Sequence, residues 1–306
     1  MSRGQDGAKP ERRAAIVGID SLLLRSADFE ADCHDYECLF ARPARRGEVR
    51  GGTHSEPSAL FVLANCAFEL RPAKGPQGEA ASGLAALRLS LQRALAPGDD
   101  LRRLAGEELQ ERLASVGSQP AEVQREAWLV DPRLTRGVRV ELTHPPLVEQ
   151  VPAQGGDEGT EDRTDGTDGI YGIDHAVIRS ADADATRGVF ADRLGIRVAF
   201  DREFPQWGAR LIMCKLGPPG DDRASVVEIA GALPADSTPG DGRDRFGGIT
   251  WRVGDVAATR RRLADEGFDV SAVREGRRPG TRVCTVRSRT GGVPTLLIEP
   301  AKQPSS

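Results

Sequence analysis

The chain has no apolar stretch approaching the roughly 20 residues needed to span a bilayer. Its N-terminus, residues 1–13, is polar and charged with no apolar core of the kind a secretory signal carries. It has no C-x-x-C pair. Its five cysteines, Cys33, Cys38, Cys66, Cys214 and Cys284, are odd in number and scattered, which argues against a disulfide framework and for a reducing compartment. There is no basic excess: the formal net charge is -4, so nothing draws the chain as a whole to nucleic acid or to an anionic membrane. The run Arg260-Arg261-Arg262 lies in a helical pattern beside acids and reads as a solvated helix face. Histidine is scarce, four in 306 residues, so each one can be weighed separately. These absences leave a cytoplasmic protein with no nucleic-acid and no membrane partner as the expectation.

What is present is a repeat. Gly18-Ile19-Asp20-Ser21-Leu22-Leu23-Leu24-Arg25-Ser26-Ala27-Asp28 returns as Gly172-Ile173-Asp174-His175-Ala176-Val177-Ile178-Arg179-Ser180-Ala181-Asp182, identical at seven of eleven positions. A repeat of this length marks a duplicated folding unit. The chemical difference is Ser21 against His175, which directs the search for chemistry to the second copy. Between the copies, residues 151–169 are acidic, rich in glycine and nearly free of large apolar side chains, the composition of a linker. The expected organisation is a disordered tail at 1–13, a domain at 14–150, the linker, and a domain at 170–301.

Each half divides again. In the second, residues 172–178 read as a strand, Asp182 caps a helix running to about Arg193, and 196–200, 209–216 and 225–229 are strands. The order recurs: a strand at 247–253, a helix capped by Asp255 and ended by Gly267, and strands at 270–273, 281–286 and 294–299. The first half fits less cleanly, with strands at 21–25, 60–63 and 66–70, then 84–91, a helix near 100–113, and strands at 127–130 and 137–142. The fold class is therefore α+β, with four βαβββ modules in tandem. From strand one to the acid closing the last strand, the modules run Ser21 to Glu69, Leu84 to Glu141, His175 to Glu228 and Gly248 to Glu299. Arg25, Arg88, Arg179 and Arg252 each fall four residues past the strand-one position, about 13 Å along a strand, and are expected to form rim or inter-module salt bridges.

Paired βαβββ modules with a strand-one histidine and a last-strand glutamate resemble the vicinal oxygen chelate superfamily of glyoxalases, bleomycin-resistance proteins and extradiol dioxygenases. The likeness rests on residues 173–178, 204–208, 226–229, 248–255 and 296–299. It covers 172–300 well and 16–143 more loosely. It implies that each pair of modules curls into a half-barrel cup, with a divalent metal held from the first and last strands. The four implied positions in the second half are His175, Glu228, Gly248 and Glu299, of which the first, second and fourth can bind metal. In the first half they are Ser21, Glu69, Leu84 and Glu141, and no metal is expected there. An imidazole with two carboxylates suits Mn, Fe(II), Co, Ni or Zn. Such an ion would act as a Lewis acid on a small vicinal-oxygen substrate, with Glu299 carrying a proton as the catalytic base and Trp207 and Thr250 as substrate contacts. The resemblance implies an isomerase or lyase. Its alternatives are a metal-free binding protein of the bleomycin-resistance type, kept open by Gly248, and a dioxygenase-like oxidoreductase. On either reading the partner is a small molecule. A monomer is expected, since duplication meets within one chain the pairing that single-domain relatives achieve by dimerising, with a homodimer as the other option. Against a metal role stands the persistence of Glu69 and Glu141 where no chelating partner remains, which points to acids paired with arginines.

Overall fold

The computed structural model describes residues 15–51, 54–73, 82–115, 122–150, 169–218, 221, 224–233 and 241–301. The expected tail at 1–13 and all of the expected linker except Gly169 lie outside the described residues. The first half contains β1 (Ile16–Ser26), α1 (Phe29–Phe40), β2 (Arg45–Gly51), β3 (His54–Val62), β4 (Ala67–Pro72), β5 (Gly83–Leu91), a 3-10 turn (Asp100–Leu104), β6 (Ala105–Ser115), β7 (Glu122–Val130), β8 (Val140–His144) and the short α2 (Leu147–Gln150). The second contains β9 (Ile170–Ser180), α3 (Ala183–Arg187) with a wider π turn (Gly188–Arg193), β10 (Arg197–Phe204), a 3-10 turn (Pro205–Trp207), β11 (Ala209–Lys215), β12 (Val226–Ala232), β13 (Arg245–Val253), α4 (Val256–Asp265), β14 (Arg274–Glu275), β15 (Arg282–Val286) and β16 (Thr295–Glu299).

The helices start where the sequence supplies a cap. The Asp28 carboxylate accepts from the Ala31 amide, Asp182 from Ala185, and Asp255 from Ala257 and Ala258. The expected helix near 100–113 is instead a 3-10 turn followed by β6. Its Glu, Gln, Leu and Arg residues favour a helix, but the backbone is claimed on both sides, by β2 and by β7. The strand expected at 270–273 is reduced to a single bridge, Val270 to Val286.

The second half forms an eight-stranded open sheet in the order β10-β11-β12-β9-β13-β16-β15-β14, with β10 and β14 as free edges. Its concave face is the cup. The first half uses the same pairings at its centre, but β2 meets β6 and the sheet closes into a barrel. The barrel interior is filled. Val49, Leu60, Val62, Ala67 and Leu147 pack at one part of it. Elsewhere Arg88 Nη1 donates to Glu69 at 2.6 Å and Arg88 Nε to Glu141 at 2.8 Å, while Arg71 Nε donates to Glu69 at 2.7 Å. Both carboxylates are essentially fully buried. Burial works to raise them, yet the arginine charges outweigh it, holding Glu141 at about 2 and Glu69 lower still.

The outer faces of both sheets share one apolar core with the helices. It runs from Leu22, Phe61 and Phe68 through Tyr36 and Phe40 of α1 to Ile173, Ile249, Trp251 and Leu297. Trp251 meets Phe40 and Phe68 edge-on at 5.1 and 5.6 Å between centroids. Asn65 spans the halves with a reciprocal pair: Nδ2 donates to the Ile173 carbonyl and Oδ1 accepts from its amide, both at 2.9 Å. Gly172 leaves the space for it, since a Cβ there would lie 2.6 Å from Asn65 Oδ1. Cys66, Cys214 and Cys284 are buried free thiols, as expected.

Candidate functional site

The cup's polar centre is built on three adjacent strands. β9 pairs with β13 in antiparallel register, His175 opposite Thr250, and with β12 in parallel register, His175 beside Val226. Val227 and Ile229 face the core, so alternation turns Glu228 into the cup. His175 Nε2 lies 2.8 Å from Thr250 Oγ1 and 3.4 Å from a Glu228 oxygen. Its Nδ1 lies 2.9 Å from Asp174. Consecutive strand residues ordinarily point to opposite faces. The register shift between Thr250 and Trp251, opposite His175 and Ile173, lets Asp174 and His175 meet. Asp174 also accepts from Arg252 Nε at 3.0 Å, and Arg252 is anchored by the Ala224 carbonyl at 3.1 Å. Burial works to raise the Asp174 carboxyl, but His175 and Arg252 outweigh it and hold it at about 2. The imidazole is thus oriented through both nitrogens, while 15% of its side chain stays exposed.

Glu299 does not join this group. It shares strand parity with Leu297, which is fully buried in the core, and therefore faces α4 rather than the cup. There it accepts from the Val256 amide at 3.1 Å, at the first turn of α4, and lies 3.4 Å from Arg282. The residue of β16 level with Thr250 is Leu296. The same relation in the barrel sets Ser21 opposite Arg88 and Arg88 beside Glu141. The fold thus matches His175, Glu228, Thr250 and Leu296 with Ser21, Glu69, Arg88 and Glu141, and a guanidinium fills the barrel's centre. Among the four arginines at repeated spacing, Arg88 bridges two modules and Arg252 joins Asp174, both as inter-module salt bridges. Arg25 pairs with Glu56.

Gly248, the fourth implied position, has φ +143°, and a Cβ there would lie 2.4 Å from the Pro294 carbonyl oxygen. Its backbone admits no ligating side chain without moving. Catalytic metal sites generally take three protein ligands. The cup brings together one imidazole and one carboxylate, and among the described residues no cluster of three His, Cys, Asp or Glu side chains could hold a metal. The donor set does not fit a resident metal.

Trp207 sits in the turn after β10 with 47% of its surface exposed. Sequence reasoning singled it out but missed the row it ends. Phe204 stacks on Trp207 at 4.6 Å and Phe200 on Phe204 at 6.1 Å. It also missed Asp174. The spacing of Phe200 and Phe204, an even number apart on one strand, was the available signal.

Among the described residues no helix is long and apolar enough to cross a membrane. Residues 174–285 match the family described as "Glyoxalase/Bleomycin resistance protein/Dioxygenase superfamily". A triple mutant of 4-hydroxymandelate synthase from Streptomyces coelicolor aligns over 94% of this chain and 94% of its own, at 15% identity and a TM-score of 0.65. Methylmalonyl-CoA epimerase from Mycobacterium tuberculosis aligns over 44% of this chain and 90% of its own, at 26% identity and a TM-score of 0.36. A variant of the Streptomyces coelicolor epimerase, in complex with 2-nitronate-propionyl-CoA, aligns over 44% and 99% at 26% identity and a TM-score of 0.37. No protein of curated function matches the sequence.

Proposed function

Because residues 174–285 belong to the glyoxalase/bleomycin resistance protein/dioxygenase superfamily and the whole chain shares the two-domain fold of 4-hydroxymandelate synthase, we propose that the second sheet is a small-molecule-binding cup that works without a resident metal. His175, Glu228 and Thr250 are its polar contacts and Trp207 stands at its rim. The observation that carries this reading is the state of His175. Both of its ring nitrogens are held by partners, Asp174 at 2.9 Å and Thr250 at 2.8 Å, while its side chain stays open to the concave face. A buried histidine serving only the core would have no reason to keep that opening.

A ligand that displaces the Thr250 hydroxyl from His175 Nε2 would meet the imidazole and the Glu228 carboxylate, 3.4 Å apart, together. The same pair favours a second reading, in which the cup moves a proton on its ligand as an isomerase or lyase does. Metal titration and a ligand screen by thermal shift, on wild type, His175→Ala and Glu228→Gln, test the proposal. The expected result is no stoichiometric ion in any of the three, with ligand stabilisation of the wild type lost in both variants. One ion per wild-type chain, absent from His175→Ala, would overturn the metal-free reading and return His175, Glu228 and Glu299 to the ligand role that the family resemblance implies.

A further inference from the structure

The concave face carries more than its polar centre. The register sets Phe200 of β10 opposite Met213 of β11, and Met213 opposite Glu228 of β12. Residues directly opposite share a face, so Phe200 stands in the cup about 10 Å from Glu228 across two strand spacings. From Phe200 a stack runs through Phe204 to Trp207, with interplanar angles of 26° and 20°. Arg277 extends it, its guanidinium carbon 4.1 Å from the Trp207 ring centroid. Trp207 follows β10 and Arg277 follows β14, the two free edges of the sheet. Their contact therefore spans the open seam of the cup. Phe200 and Trp207 are, with Val17, the exposed large apolar side chains among the described residues. A contiguous exposed apolar row of this kind marks an interaction site.

Charge narrows what would cover it. Arg202 lies between Phe200 and Phe204 on the same strand face by alternation. It belongs to the row Arg202, Leu211, Ala230, Arg179. Neither arginine has an ion-pair partner among the described residues. Among the described residues Arg277 has only its ring contact. The carboxylates of this face are already engaged, Asp174 by His175 and Arg252, and Glu228 by His175. The wall is aromatic and cationic, and the complement of that surface is a flat ring bearing an acid.

Resting on the reading of this cup as a small-molecule site, we propose that its ligand is a planar aromatic carboxylate. Its ring lies along the Phe200, Phe204 and Trp207 wall, its carboxylate meets Arg277 and Arg202, and its far end turns toward His175 and Glu228. Calorimetric titration of the full chain with three near-isosteric probes tests this: 2-naphthoate, 2-naphthalenemethanol and 2-naphthylmethylammonium. Naphthoate should bind at least tenfold tighter than the alcohol, and the ammonium weakest. Arg277→Gln should remove most of the difference between acid and alcohol, and Trp207→Ala should weaken both. Added salt should weaken naphthoate alone. Equal affinities, preference for the ammonium, no binding by any probe, or naphthoate binding indifferent to Trp207→Ala would each overturn the assignment. The two levels separate cleanly. Naphthoate bound through Trp207 and Arg277 but unmoved by His175→Ala and Glu228→Gln would sink the cup reading. Ligands of other chemistry, lost in His175→Ala, would uphold the cup and sink the aromatic acid.

Discussion

Replacing Arg88 with methionine keeps an unbranched apolar stem and removes the cation between two carboxylates inside the barrel. Glu69 and Glu141 are 0% and 1% exposed, so neither can recover its lost partner from water. Breaking a buried pair by removing one member costs about 3–5 kcal/mol. Arg71 still reaches Glu69 and Arg139 still reaches Glu141, which places the expectation at the lower end, about 3 kcal/mol at pH 7. The pH dependence follows from Glu141, whose carboxyl stands at about 2 in the folded chain against an ordinary 4.5. A depressed folded value contributes stability that is fully present above pH 4.5 and is lost as pH falls toward 2. That difference corresponds to about 3 kcal/mol. Without Arg88 the depression shrinks, so the variant loses less on acidification. The gap between wild type and Arg88→Met in urea unfolding should therefore be widest above pH 5 and should narrow steadily as pH falls from 4.5 toward 2. A gap under about 1 kcal/mol at pH 7, or one of equal size at pH 3, would refute the reasoning. Adding Glu69→Gln and Glu141→Gln to Arg88→Met should restore much of the loss, since Arg71 keeps Glu56 and Arg139 is 45% exposed to water, so no buried charge loses its last partner.

Three further outcomes are expected. Gly248→His should install no metal affinity by titration and should lower stability by about 2 kcal/mol or more in thermal unfolding, because its backbone and the Pro294 carbonyl both oppose a Cβ. Asn65→Ala removes two hydrogen bonds between the halves and should destabilise by about 2 kcal/mol in urea; a loss under about half that would mean water replaces the amide. Glu299→Ala should reduce stability by about 0.5–1 kcal/mol through the first turn of α4 and leave ligand affinity in calorimetry unchanged. Weaker ligand binding in that variant would return Glu299 to the site.

The second half was legible because its signals agree. Its apolar runs match its strands, and Asp182 and Asp255 both cap the helices that follow β9 and β13. The first half was harder where local preference and tertiary pairing conflict. β2, with the sequence Arg-Arg-Gly-Glu-Val-Arg-Gly, has no apolar run to announce it, and β6 carries helix-forming residues held in a ladder on both sides. Within the site, Glu228 and Glu299 each close an apolar run and look alike in one dimension. Strand parity separates them, and parity depends on which neighbours are buried. Asp174 was hidden for a related reason. Regular alternation would turn it away from His175, and the register shift that brings the two together is a property of the pairing with β13, not of β9 itself.

The continuous core also has a consequence for genetics and protein engineering. Trp251 of the cup's own sheet packs on Phe40 and Phe68, contributed by the other half of the chain. An excised second half would present that surface, with Ile173 and Ile249, to water, and would be prone to self-association rather than being a minimal working fragment. In the intact chain, damage to the barrel would reduce the population of competent cups without touching a single ligand contact. Loss-of-function substitutions should therefore scatter across both halves, and those in the barrel should be rescued by lower temperature, whereas those at His175 or Trp207 should not.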